Sequence, residues 1–216
     1  MKLLFNTVLL ITTFFLNPVL CTLAGNEAYT IIKTPSLRGG SKQSVFTSGY
    51  KNGRVAVLTA TLDIKDGKID VERAYNGEDK TRNRLHLNEM LKSLWEANGG
   101  QLHNLRSIEF SEVVNKETVA VIRKIKKRFR LGEGSSFVIT EPAAATSAAV
   151  KKLGKSERRK FTMSWDELFQ SPFGKVARRL ANEGGNSVDR FELHTNTLGA
   201  NNGPPMYIHY LTVKFS

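Results

Sequence analysis

The chain has 216 residues, 40% of them hydrophobic, and its 32 Lys and Arg residues outnumber 20 Asp and Glu residues, for a formal net charge of +12. This apolar content is sufficient for a folded core, which excludes an intrinsically disordered tail. Cys21 is the only cysteine, so internal disulfides and Cys-based metal sites are excluded as well. The fold must therefore be held together by packing.

The first 24 residues have the pattern of a cleavable signal peptide. Lys2 is their only charge, and an apolar run from Leu3 to Leu16 follows it. This run is shorter than the ~20 residues that a membrane-spanning helix needs. Small residues at the required spacing predict signal cleavage after Cys21 or after Ala24. We therefore expect a secreted protein.

The next segment, residues 25–53, is rich in Gly, Ser, Thr and Lys. It predicts a mostly irregular N-terminal arm with one short strand at Tyr29–Ile32. Alternation of period two then runs from Val55 to Ile64 and resumes after Asp66-Gly67, which is the pattern of a β-hairpin. The globular domain is therefore predicted to occupy residues 54–216.

Three helices are predicted in the middle of the chain. Residues 87–95 carry an apolar stripe at helical spacing, which ends at Asn98-Gly99-Gly100. Asn115 can cap a second helix with a buried face of Val121, Ile122, Ile125 and Phe129. Pro142 opens an alanine-rich helix that continues to about Leu153.

The last third predicts more helix and a closing strand. A charged connector at Gly154–Lys160 precedes a capping box, Ser164-Trp165-Asp166-Glu167, that would begin the next helix. Ser171-Pro172 should kink that helix or start a new one, and Met206–Phe215 should form a strand. The whole order predicts an α+β fold: a single domain with a mainly antiparallel sheet and three to four packed helices. A break at the connector would instead give two domains.

A cluster of six cations on the second predicted helix is the candidate partner-binding site. It consists of Arg123, Lys124, Lys126, Lys127, Arg128 and Arg130. A second cluster comprises Lys151-Lys152 and Arg158-Arg159-Lys160. Such clusters either form a solvated face or contact an acidic protein, an import receptor, nucleic acid or a membrane surface. We expect a monomer without a membrane span.

No catalytic residue, cofactor or metal site is predicted. The chain lacks the G-x-S-x-G and G-x-x-x-x-G-K-[ST] motifs, and no two histidines have helical zinc-site spacing. His194 and His209 could face each other across a terminal hairpin, as an acid–base pair of a ribonuclease or simply as two histidines on a sheet. Glu109 and Glu112 could likewise be a catalytic pair or solvated carboxylates. A binding protein is favoured over an enzyme.

From Ile69 to Phe129 the predicted order is strand, helix, strand, Asn115 and helix. This order resembles the core of GNAT acetyltransferases. That resemblance implies a transferase that holds coenzyme phosphates on a glycine loop before the first helix. Residues 81–85 occupy that position and contain no glycine. Without glycine, the backbone at these residues does not offer a pyrophosphate the close approach that the family's loop provides.

A second resemblance points to virulence. Residues 87–95, 105–110 and 113–115 are similar to patterns in smut-fungus effectors that are encoded in large tandem clusters, and the similarity spans about residues 87–125. It implies a secreted virulence protein that binds a host protein, with the host cytoplasm or nucleus as a further destination. The alternative is a secreted enzyme or toxin that acts on nucleic acid.

Overall fold

A computed structural model describes residues 19–23, 27–35, 41–50, 54–76, 87–111, 113, 115–132, 134–142, 154–198 and 206–216. The strands are β1 (Val19–Leu23), β2 (Glu27–Pro35), β3 (Ser41–Tyr50), β4 (Arg54–Asp63), β5 (Lys68–Asn76), β6 (Ser107–Phe110), β7 (Ser136–Thr140), β8 (Val188–Leu198) and β9 (Met206–Phe215). The helices are α1 (Leu87–Glu96), α2 (Lys116–Phe129), α3 (Lys155–Gln170) and α4 (Pro172–Gly184).

The nine described strands form one sheet in the order β1-β2-β3-β4-β5-β6-β9-β8-β7. All neighbours pair antiparallel except β5 and β6, which are parallel and are connected through α1. A parallel pair needs such a crossover, because its second strand must start at the same end of the sheet as the first. The structure confirms a single α+β domain with a mainly antiparallel sheet.

The predicted hairpin at Asp66-Gly67 joins β4 to β5, with Asp63 paired to Lys68. Gly67 has φ +67°, and a Cβ atom there would stand 2.3 Å from the carbonyl oxygen of Asn104. Its own carbonyl accepts hydrogen bonds from the N–H groups of Arg106 and Ser107, at 2.7 and 3.0 Å. Glycine at this turn therefore also lets β6 dock beside β5.

The helices cover one face of the sheet, and the alternation of burial along the strands follows from this. Apolar side chains from the central strands meet Trp95 of α1, which is fully buried. Phe110 stacks on Phe173 of α4 with 4.3 Å between ring centroids, and Phe191 contacts Trp165 of α3 at 5.0 Å. In β8 the intervening residues Glu192 and His194 are only partly buried, because they face away from the helices.

The N-terminal prediction was wrong in one respect: residues 25–53 are not mostly irregular but contain β2 and β3. These segments have few apolar residues, so they lack a clear period-two signal. Their regular structure comes from cross-strand pairing, such as Ile31 with Val45. Strand β1 lies within the predicted signal peptide, and Cys21 pairs with Tyr29, so cleavage after Cys21 would divide this strand.

Helix α3 also differs from the prediction, because it begins at Lys155 and includes the supposed connector. Ser164 is therefore not a cap but an interior residue whose hydroxyl donates to the Lys160 carbonyl at 2.8 Å. The break at Ser171-Pro172 is confirmed: Ser171 Oγ accepts from the Gly174 N–H at 3.1 Å and caps α4. Residues 143–153, predicted as helix, lie outside the described part of the chain.

Candidate partner-binding surface

Helix α2, which carries the six predicted cations, has clear capping at both ends. The Asn115 side chain accepts a hydrogen bond from the Thr118 N–H at 2.9 Å, as its sequence position predicts. Arg130 ends the helix in the left-handed conformation, with φ 53°, and its N–H contacts the carbonyls of Lys126 and Lys127. Cations in this last turn are favourable, because the C-terminal end of the helix dipole is negative.

Helices α2 and α3 pack antiparallel. Lys124 of α2 contacts Glu167 of α3, and one turn further along α2 Phe129 contacts Phe161, nearer the start of α3. Phe137 of β7 completes this aromatic contact, at 4.5 Å from Phe129 and 5.7 Å from Phe161 between ring centroids. The C-terminus of α2 therefore lies beside the first half of α3.

Glu167 of α3 binds two of the six cations. The Arg128 guanidinium donates to both Glu167 carboxylate oxygens, at 2.9 and 3.0 Å, and to Ser164 Oγ at 2.5 Å. Lys124 Nζ lies 2.6 Å from Glu167 Oε1. Burial would raise the pKa of the Glu167 carboxyl, but the hydrogen bonds from Arg128 and Lys124 outweigh it and lower this pKa below its ordinary value. Arg128 and Lys124 thus join α2 to α3.

Lys126 is directed into the protein, with 9% of its surface exposed. Its ammonium group donates to Thr195 Oγ1 of β8 at 3.3 Å. The Thr195 hydroxyl lies 3.1 Å from His209 Nδ1 of β9 in the same buried network. Lys126 therefore links α2 to the sheet, and it does not contribute to the outer surface of the helix.

The three remaining cations, Arg123, Lys127 and Arg130, are exposed, and Lys116 joins them. The helical repeat places residues 116, 120, 123 and 127 within about 60° of arc, and Arg130 follows three residues later as the capping residue. We call these positions the α2 stripe: Lys116, Ala120, Arg123, Lys127 and Arg130. All five are solvent-exposed, and the four cations form no ion pair with any residue in the described ranges.

The second predicted basic cluster is only partly described. Arg158, Arg159 and Lys160 are exposed on the first half of α3, while Lys151 and Lys152 lie outside the described residues. Because α3 runs antiparallel to α2, this first half extends along the C-terminal end of α2. These cations therefore add positive charge at the Arg130 end of the α2 stripe.

The structure contradicts a catalytic pair of His194 and His209. Thr195 pairs with His209 in the β8–β9 register, whereas His194 pairs with Tyr210. Residues that pair across strands share a face of the sheet, so the two histidines lie on opposite faces. His209 is buried beneath the helices and His194 is on the open face. One substrate could not contact both rings.

A different histidine arrangement was missed by the sequence analysis. Ser136 Oγ of β7 lies 2.7 Å from His194 Nδ1, and His194 Nε2 contacts the Asn196 side-chain oxygen. In the tautomer that carries its proton on Nε2, the ring donates to the Asn196 oxygen and Nδ1 can accept from the Ser136 hydroxyl. Sequence motifs could not reveal this chain of contacts, because the pairing of β7 with β8 brings Ser136 to His194.

The other candidate residues do not converge on a site. Glu109 contacts Lys68 at 3.7 Å across neighbouring strands. Glu112, His86 and residues 81–85, where a coenzyme loop was considered, lie outside the described ranges. Among the residues that the structure describes, no three His, Cys, Asp or Glu side chains are grouped to hold a metal ion, and no helix is long and apolar enough to cross a membrane.

Two important features of the surface escaped the sequence analysis. Nothing in the pattern linked Glu167 to Arg128, because the two residues lie on different helices. Lys116 and Ala120 were in principle recognisable from their helical spacing to Arg123, which places them on the same side of α2. Searches of protein-family models, curated proteins and solved structures gave no match to this chain.

Proposed function

We propose that this protein is a secreted effector that binds a host protein through the α2 stripe. The observation that supports the proposal is the row of four exposed cations without an ion pair in the described structure. The other cations of α2 are engaged by Glu167 and Thr195, so the cations of this helix divide into those paired within the fold and those left for a partner. Such a division fits a surface that meets an acidic partner.

Like charges at neighbouring helical positions carry an energetic cost. Pairs such as Arg123–Lys127 destabilise a helix by about 0.2–0.5 kcal/mol each. Burial of Ile122 and Ile125 and the Asn115 cap offset this cost within the fold. An acidic partner would relieve the repulsion, and long-range attraction would accelerate the encounter.

Secretion is the second component of the proposal, and it is supported by the signal pattern in residues 1–24. The similarity of residues 87–125 to smut-fungus effectors suggests a plant protein as the target. N-terminal sequencing of the extracellular protein tests this component directly. A product that starts after Cys21 or Ala24 is expected, whereas an extracellular product that begins at Met1 would refute cleavage.

The binding component is tested by retention of plant proteins on the immobilised secreted protein. The test variant is Arg123→Glu with Lys127→Glu, and the matched control is Lys175→Glu with Arg179→Glu on α4. Each pair combines one Lys and one Arg at i, i+4 spacing, and all four side chains are exposed. A specific plant protein should be retained by the wild type and the control but lost from the stripe variant. Equal retention by all three proteins would refute the α2 stripe as the binding surface.

A hydrolase is the second candidate function, and the Ser136–His194–Asn196 contacts favour it. His194 would accept the Ser136 proton as the hydroxyl attacks an ester carbonyl and would return it to the leaving alcohol, which leaves an acyl-serine. Water, deprotonated by the same ring, would then attack the acyl group, and the proton would return to Ser136 Oγ as the acid is released. Hydrolysis of an activated ester by the secreted protein tests this candidate. Loss of the activity in Ser136→Ala is required, and equal rates for the two proteins would exclude this serine as the nucleophile.

A further inference from the structure

The α2 stripe follows a seven-residue repeat. Its members lie at positions 116, 120, 123, 127 and 130, so the intervals are four, three, four and three residues. That spacing is the one by which one helix presents a straight seam to another helix lying alongside it. The α2 stripe consists of four cations and one alanine. All of these residues are exposed, and none is acidic.

The spacing of the charges along the helix axis favours one kind of acidic partner. With a rise of 1.5 Å per residue, Lys116 and Arg123 are separated by about 10.5 Å, and Arg123 and Lys127 by about 6 Å. Acidic residues on a second helix with the same repeat lie at the same unequal intervals. An extended acidic strand instead places same-side carboxylates about 6.6 Å apart at every step, and it loses register with this row.

Ala120 is the one short side chain of the α2 stripe, and it lies between Lys116 and Arg123. Ala120 is exposed, and its single methyl group extends less far from the axis of α2 than the long side chains on either side. A partner helix can approach closely there while carboxylates on both sides reach the flanking cations. Because the stripe contains no aromatic residue, it has no platform for stacking bases of single-stranded nucleic acid.

We infer that the α2 stripe binds an acidic α-helix whose Asp or Glu residues repeat at intervals of four and three. This inference rests on the proposed function and specifies the structure of the partner segment. The partner helix lies alongside α2, and its carboxylates pair with Lys116, Arg123, Lys127 and Arg130. The exposed cations of the first half of α3, which lies beside the C-terminus of α2, add positive potential near one end of the stripe.

The test measures binding of the secreted protein to two synthetic acidic peptides by fluorescence anisotropy. Both peptides have the same composition and helical content; one has glutamates at the four-three repeat, and in the other the glutamates are distributed around the helix. The repeat peptide should bind about tenfold more tightly, a difference of about 1.4 kcal/mol. Equal affinities for the two peptides would overturn the inference. Duplex DNA that binds more tightly than either peptide, in a stripe-dependent manner, would overturn it also.

Two substitutions at Ala120 test the α2 stripe without removing a cation. Ala120→Lys completes the row and should tighten binding of the repeat peptide about threefold, whereas Ala120→Glu should weaken it to a similar extent. Neither change should affect the distributed peptide as strongly. Tighter binding of the repeat peptide by Ala120→Glu than by Ala120→Lys, or equal binding by both variants, would overturn the inference.

The same variants separate this inference from the proposed function. If retention of a plant protein depends on Arg123 and Lys127 but the two peptides bind equally, the surface is a binding site and the helical partner is wrong. If the repeat peptide binds selectively but the stripe variant retains the same plant proteins as the wild type, the proposed function is wrong.

Discussion

Arg128 Nη2 of α2 donates to both carboxylate oxygens of Glu167 of α3, at 2.9 and 3.0 Å, and the two helices are separated by twenty-five residues of chain. The Arg128 side chain is only 12% exposed. An arginine that the sequence assigns to an external surface therefore maintains the helix layer. Some cations of α2 therefore stabilise the fold, and others are left to bind a partner.

Arg128→Ala should destabilise the protein by about 2 kcal/mol, because it removes charged hydrogen bonds to Glu167 and Ser164. Urea unfolding measures the loss. Arg123→Ala is the control, because its side chain is exposed, and it should change stability by less than about 0.5 kcal/mol. Similar losses for the two variants would contradict the division between internal and external cations.

Glu167 should make the stability depend on acidic pH. Its pKa is lowered in the folded protein, so the ion pairs contribute fully above the ordinary glutamate pKa of about 4.3 and are lost as pH falls through the lower folded value. Glu167→Gln should therefore be less stable than the wild type at neutral pH, and the gap should narrow in acid. Denaturant midpoints measured between neutral pH and pH 3 check this. A stability difference between the two proteins that does not change with pH would contradict the ion pairs of Glu167 as its cause.

Charge reversal should destabilise the protein strongly at Lys126 but hardly at its neighbour Lys127. Lys126→Glu places a carboxylate in a buried site beside Thr195 and should cost about 3 kcal/mol or more. Lys127→Glu changes an exposed residue and should preserve stability within about 0.5 kcal/mol. Thermal unfolding of both variants measures the difference, and equal melting temperatures would refute the inward orientation of Lys126.

If the basic helix also directs nuclear import, localisation should follow the exposed cations. A fluorescent fusion without residues 1–24 should lose nuclear signal in plant cells when Arg123 and Lys127 are both changed to Glu. These positions are preferable to Lys126, because its substitution would also disturb the core. Lys175→Glu with Arg179→Glu serves as the control. Unchanged distribution of the stripe variant would count against import through this surface.

Gly174 should tolerate no side chain at the junction of α3 and α4. A Cβ atom there would lie 2.0 Å from the Leu168 carbonyl oxygen, so the two helices would have to move apart. Gly174→Ala should cost about 2 kcal/mol by overpacking. Gly132→Ala is the matched control, since its Cβ would meet no atom within 4 Å. Equal stability of these two variants would contradict the close approach.

The local elements of the fold were predictable where one signal dominated. Asp66-Gly67 predicted the β4–β5 turn, Asn115 the start of α2, and Ser171-Pro172 either a kink or a new helix; the turn, the cap and a new helix are observed. Ser164 shows the limit of such signals. Its capping-box pattern was overridden, because the preceding charged residues extend α3 by more than two turns and leave the serine inside the helix.

The sequence alone was enough to determine the composition of α2: a capped amphipathic helix with a buried apolar face and a dense positive charge. Periodicity and capping are local, so they can be identified without knowledge of the neighbours. Which cations remain available to a partner was decided only by the tertiary structure. Glu167 reaches Arg128 and Lys124 because α3 packs antiparallel to α2, and Thr195 reaches Lys126 because β8 lies beneath it. These contacts join distant parts of the chain, and only the packed fold brings them within hydrogen-bond distance.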